Sequence, residues 1–88
     1  MTNEKTNKDA IRNFDTIKLE KRIKVREIKS GSHLIIVEGY YDVIANDDKD
    51  FLLAPNTANG TRFAPHTHLL YAAEKELVYK NAVKTHTH

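Results

Sequence analysis

Lys75-Glu76-Leu77-Val78-Tyr79-Lys80-Asn81-Ala82-Val83-Lys84-Thr85 follows a long polar loop and reads as a strand, a one-residue kink and a second strand. Taken that way, it supplies the final strand pair of a β domain, and the fold turns on it. Immediately upstream, Asn56 to Pro65 contains the hairpin-type pair Asn59-Gly60 and is expected to be a mobile excursion. Leu69 to Ala73 either continues that excursion as a strand or opens a short helix.

Further upstream, Leu34-Ile35-Ile36-Val37 is the strongest strand signal, and its unbroken aliphatic run predicts burial on both faces. Gly39 turns the chain into Tyr40 to Ala45. Asn46-Asp47-Asp48-Lys49-Asp50 then turns it into Phe51 to Ala54, ended by Pro55, so a meander of three short antiparallel strands is predicted. From Thr16 to Ile28, Ile17, Leu19, Ile23 and Val25 share one parity and Lys18, Glu20, Arg22, Lys24 and Arg26 the other. That alternation predicts a half-buried strand with a charged outer face. A helix over the same residues is the rival, because Glu, Lys and Arg are good helix formers. Ser30-Gly31-Ser32 is a turn signal. At the front, Asn7 or Asp9 caps a short helix whose apolar side is Ile11 and Phe14, with Ala10 beside them. Residues 1–8 and 86–88 are expected to be flexible ends around a single domain over 9–85.

A chain of 88 residues makes one domain that can bury roughly 60% of its extended surface. With no cysteine, added stability must come from a good core, a metal or association between copies, so a homo-oligomer is expected. Without an apolar leader or a run of about 18 apolar residues, the expectation is a cytoplasmic protein that does not enter a membrane. Fourteen basic against twelve acidic residues give a net charge of +2, too little to mark a nucleic-acid binder by composition. Distribution says more. Lys18, Lys21, Arg22, Lys24, Arg26 and Lys29 cluster against only Glu20 and Glu27, whereas Asp42, Asp47, Asp48 and Asp50 gather in an acidic turn. On a strand, Lys18, Arg22, Lys24 and Arg26 form a row at about 7 Å spacing, near the phosphate repeat of an extended nucleic acid. A solvated edge strand guarded by lysines explains the same residues.

The Lys75 to Thr85 stretch resembles the second Sm motif of the bacterial Sm-like RNA chaperones, the Hfq family, with Asn81 where that family carries histidine. Other pieces follow in the family's order. His33 to Gly39 is similar to Sm strand one, Val43 to Lys49 to the bent second strand, Phe51-Leu52-Leu53 to the third, and the helix ending at Phe14 to the helix before the barrel. The likeness covers about half the chain. Thr16 to Ser32 is an insertion, Asn56 to Ala73 lengthens a short loop, and Phe51 stands one residue from the pocket aromatic's place. The resemblance implies an Sm-like barrel in a homo-oligomeric ring that binds single-stranded RNA. Tyr79 would then pin neighbouring subunits, Lys80 would meet uracil or phosphate, Asn81 would donate an amide hydrogen bond and Phe51 would stack a base. Arg22 and Lys24 would add a phosphate-contacting rim.

A rival motif is His66-Thr67-His68. On a strand, residues i and i+2 share a face, so two imidazoles grip one divalent metal and Glu74 can add a carboxylate. Gly60, five residues, the histidine pair and a later glutamate also resemble the first cupin metal motif, with one residue too many before the glutamate and no second motif. A small protein-interaction or inhibitor module is a third reading. No cysteine nucleophile, serine triad or phosphate-cradling glycine loop is present, so binding without catalysis, and without a cofactor, is expected. The expected fold is mainly β with a short N-terminal helix, a small bent antiparallel sheet or Sm-like barrel.

Overall fold

The structure, a computed structural model, describes residues 10–86. Seven strands make one antiparallel sheet: β1 Thr16–Leu19, β2 Ile23–Glu27, β3 His33–Ile36, β4 Gly39–Asn46, β5 Asp50–Pro55, β6 Tyr71–Glu74 and β7 Ala82–His86. Their lateral order is β3-β2-β6-β5-β4-β1-β7. A short helix, α1, Lys75–Asn81, joins β6 to β7.

The charge-and-apolar alternation from Thr16 to Ile28 is real, but the strand breaks at Glu20–Arg22. β1 pairs with β4 through Thr16↔Asp42 to Leu19↔Gly39, and β2 pairs with β3 through Ile23↔Ile36 to Arg26↔His33. The two pairs are halves of one long ribbon. Its corner sets three residues, Glu20–Arg22, against two, Val37 and Glu38, and such a mismatch bends a ladder. Ion pairing of Arg22 with Glu38 at 3.4 Å crosses the corner, and the Tyr41 hydroxyl donates to the Val37 carbonyl at 2.8 Å.

The bend is forced by connectivity. Three strands, β6, β5 and β4, lie between β2 and β1, so a flat sheet would separate β1 from β2 by about 19 Å at normal strand spacing. Leu19 to Ile23 spans at most about 14 Å of extended chain. The sheet must therefore curl until its two halves face each other. Into the enclosed space point Ile17, Leu19, Ile23, Val25, Ile36, Tyr41, Val43, Phe51, Leu53 and Ala73, with Val78 of α1 among them. The curl leaves β3 and β7 as free edges, so the domain is a bent antiparallel sheet rather than a closed barrel.

Three expectations are corrected. The Lys75 to Asn81 half of the presumed strand pair is helical, and only Ala82–His86 is a strand. Lys, Glu and Leu favour helix, Glu76 and Lys80 complement the dipole at its two ends, and they stand in the favourable i, i+4 order. At the front, Ala10 to Phe14 form no helix. Phe14 has φ +75°, which no right-handed helix accommodates, and Asp15 instead closes a turn by accepting from the Arg12 N–H at 2.8 Å. Asn7, Asp9 and the expected flexible segment 1–8 lie outside the described residues. Lastly, β3 pairs with β2 rather than with β4, which makes it an edge, and Ile35 is 61% exposed. Leu34 and Ile36 satisfy the inner side alone. Tyr71–Glu74 proves to be a strand, and β7 extends to His86, the first residue of the tail expected to be free; Thr87 and His88 lie outside the described residues.

Asn56 to Pro65 is no free excursion either. It lies back across the outer face of β1 and β4, where Asp42 is fully buried. The Asp42 carboxylate accepts from the Thr16 hydroxyl, from the Asn56 amide at 2.8 and 2.9 Å, and from the Ala64 N–H at 2.9 Å. Gly60, at φ +80°, seats its bare Cα on Tyr40, where an added Cβ would come within 2.4 Å of the ring. A side chain there would strain the backbone and displace the ring together.

Candidate nucleic-acid interface

Alternation along β2 buries Ile23 and Val25 and sends Lys24 and Arg26 outward. Directly across, Lys24 faces Ile35 and Arg26 faces His33 on β3, both exposed. On the other side, Arg26 is in register with Ala72, Ala72 with Leu52, and Asp50 with Glu74. A continuous outer surface results. It carries cations and an imidazole on the hairpin half and two carboxylates on the β5–β6 half.

β2 and β6 are in register only at Arg26↔Ala72 and Glu27↔Tyr71. Past Arg26 a hollow of about 420 Å³ opens, walled by Lys24, Arg26 and His33 on one side and by Asp50 and Glu74 on the other, with Val25, Ala72 and Leu77 also reaching it. That volume lies within the range of small-ligand sites. Among the described residues, Lys24 and Arg26 form no ion pair. At the ribbon corner the Glu38 carboxyl is held below the usual carboxylate range, by its own backbone N–H first and by Arg22 after that. Asp47 is lowered in the same sense, because its carboxylate accepts from the N–H groups of Asp50 and Lys49 in the acidic turn.

The residues singled out from sequence fall into separate places. Tyr79, Lys80 and Asn81 occupy the last turn of α1, where successive side chains stand about 100° apart instead of on opposite strand faces. The Tyr79 hydroxyl accepts from the Ile11 N–H at 3.0 Å, and its ring meets Phe51 edge-on at 5.6 Å, tying the segment before β1 to the helix. Asn81 donates its side-chain amide to the Leu77 carbonyl at 3.0 Å, while its backbone carbonyl accepts from the Glu20 N–H at 2.7 Å. Lys80 is exposed. Phe51 is 1% exposed, with the Lys75 ammonium 5.2 Å from its ring centroid, so no ring face is open to a base. Lys18, which heads the proposed row, stands 6.0 Å from the Tyr40 ring on the other half of the ribbon. The bend divides that row, leaving Lys24 and Arg26 on one surface and Arg22 bound to Glu38 at the corner.

His66 and His68 are exposed neighbours with ring centroids 5.6 Å apart, but they sit in a turn closed by the Leu69 N–H on the His66 carbonyl. Glu74 is on β6 beside Asp50, and among the described residues no three His, Asp or Glu side chains are placed to hold one metal ion. No described helix is long and apolar enough to cross a membrane. Compared with protein-family models, curated proteins and solved structures, the chain matches none. In the sequence Arg26 stands out only as part of a charged row and His33 only as the first residue of a strand. The register of β2 with β3 and β6 gives both their significance, and no spacing within the sequence encodes it.

Proposed function

We propose that this chain binds single-stranded RNA without catalysis, through the outer surface of the β2–β3 hairpin. One observation carries the reading: Lys24 and Arg26 project together, with no ion pair among the described residues, beside exposed His33 and Ile35 and a hollow of about 420 Å³. Lysine and arginine supply phosphate contacts, and imidazole and guanidinium planes give bases a surface to stack on. The Sm-like resemblance of Lys75 to Thr85 points to the same ligand, although Lys75 to Asn81 lie on a helix and only Ala82 to Thr85 on a strand. Fluorescence anisotropy with a short unstructured RNA at low salt tests the proposal. Lys24→Glu/Arg26→Glu is expected to weaken binding by about a hundredfold and to flatten the log K against log salt slope by roughly 1.4, two phosphate contacts at about 0.7 each. Lys80→Ala should change affinity far less. No affinity at low salt would sink the reading, and a larger loss in Lys80→Ala than in the double variant would move the interface to α1.

Assembly of copies through the sheet edges belongs to this reading. β3 exposes Ile35, with Val37 exposed just past its end, β7 exposes Val83, and neither strand carries a proline. Uncovered edges of that kind invite pairing with another chain. Joining β3 of one copy to β7 of the next would remove both edges and place successive hairpin surfaces side by side, adding avidity. Mass measurement in solution is expected to give a multiple of the 10.1 kDa chain, and Ile35→Lys should shift it to the single chain. A wild-type protein that sediments as a monomer at micromolar concentration rules the assembly out.

A further inference from the structure

Asp50 and Glu74 face each other directly across the β5–β6 pair, on the outer side of a sheet whose inner side takes Phe51 and Ala73. Like charges in that position destabilise a sheet. Among the described residues, neither carboxylate accepts a hydrogen bond or forms an ion pair. Asp50 is half-buried and Glu74 exposed, and both wall the hollow opposite Lys24 and Arg26. The hollow therefore has one side that attracts phosphate and one side made solely of acceptors.

We propose that this hollow takes one guanine base of a bound RNA, its Watson–Crick edge turned to Asp50 and Glu74 while the flanking phosphates lie at Lys24 and Arg26. This rests on the RNA-binding reading above. The choice of base follows from donor and acceptor order. An ionised carboxylate only accepts. Guanine alone presents two adjacent donors, N1–H and the N2 amine, to a pair of carboxylate oxygens. Cytosine and adenine each offer one amine beside an acceptor nitrogen, and uracil sets its single N3–H between two carbonyl oxygens that the carboxylates repel. A uridine-rich ligand, implied by the Sm-like resemblance, is thus the poorest fit for this surface. Ala72 and Leu77 give the base plane an apolar backing.

The experiment compares a uridine octamer with the same octamer carrying one central guanine, adenine or inosine, at fixed salt. Guanine is expected to bind roughly tenfold tighter than uracil, in keeping with a bidentate base contact. Inosine, which lacks the N2 amine, should lose most of that gain with the protein unaltered. Asp50→Asn/Glu74→Gln should bring the guanine-to-uracil ratio close to one without lowering the melting temperature, since it removes a like-charge pair. Guanosine monophosphate is the control for a free-nucleotide source, and competition as strong as that of the RNA would overturn the assignment to RNA. Equal binding of all four octamers, or a guanine preference that survives in the double variant, overturns the base assignment and leaves the RNA-binding reading standing. Absence of binding to every octamer overturns both.

Discussion

Asp42→Ala is expected to destabilise the domain by about 3 kcal/mol or more, because it strands buried donors instead of merely removing one contact. The Thr16 hydroxyl, the Asn56 amide and the Ala64 N–H all lose their acceptor at once. For a domain of this size each kcal/mol is worth about 4–8 °C, so the melting temperature should fall by roughly 12–24 °C. The damage has a defined location. Asn56 also orders its own loop, accepting from the N–H groups of Ala58 and Gly60 and donating to the Arg62 carbonyl. Limited proteolysis of the variant should therefore cut first between Asn56 and Pro65, while the wild type resists there. Melting within about 2 °C of wild type would show that the loop is held by something other than this carboxylate.

Phe51→Ala should remove about 3–5 kcal/mol, the usual loss for a large aromatic cut out of a well-packed core. Its ring is in the enclosed cluster with Leu53, Val43 and Val78 and also receives the edge of Tyr79. A shift in denaturant midpoint at constant slope is the measurement. Phe51→Leu separates packing from recognition, since a smaller apolar replacement keeps most of the burial and loses the aromatic plane. Its RNA affinity should equal that of wild type. If Phe51→Leu melts close to wild type yet binds RNA tenfold more weakly, the ring does meet a base and is not confined to the core.

Much of the β character could be read directly. Alternation placed Ile17, Leu19, Ile23 and Val25 inside and Lys18, Lys24 and Arg26 outside, because strand parity is a local property that survives the corner intact. The β4–β5 hairpin was equally legible from its polar turn. What parity cannot reveal is the partner of each strand. Placing β3 beside β4 was natural for neighbours in sequence, and it failed because the ribbon doubles back on itself with only Val37 and Glu38 between them. The misassignment of Lys75 to Asn81 has a different origin. Val78 and Tyr79 suit a strand, and their weight hid the Glu76/Lys80 pair, a helical signal present in the sequence all along. The candidate interface was half visible. Lys24 came from the charge pattern, whereas pairing Asp50 with Glu74 required the register of strands separated by the whole 56–70 loop.

The narrow attachment of β2 to β6 has a kinetic consequence. Contacts between β2 and β3 are local and form early, but docking that hairpin against β6 joins residues more than forty positions apart and must await loop closure. Two registered pairs and the Ile28 N–H on the Leu70 carbonyl at 3.0 Å then hold it laterally. The β2–β3 half of the ribbon is accordingly expected to open as a unit at a lower free energy than the β4–β5 centre. Amide exchange should reveal this as a block of faster-exchanging protons over Ile23–Ile36. The surface assigned to RNA would lie on that block, so a bound strand spanning β2 and β6 would slow its exchange more than that of any other part of the chain.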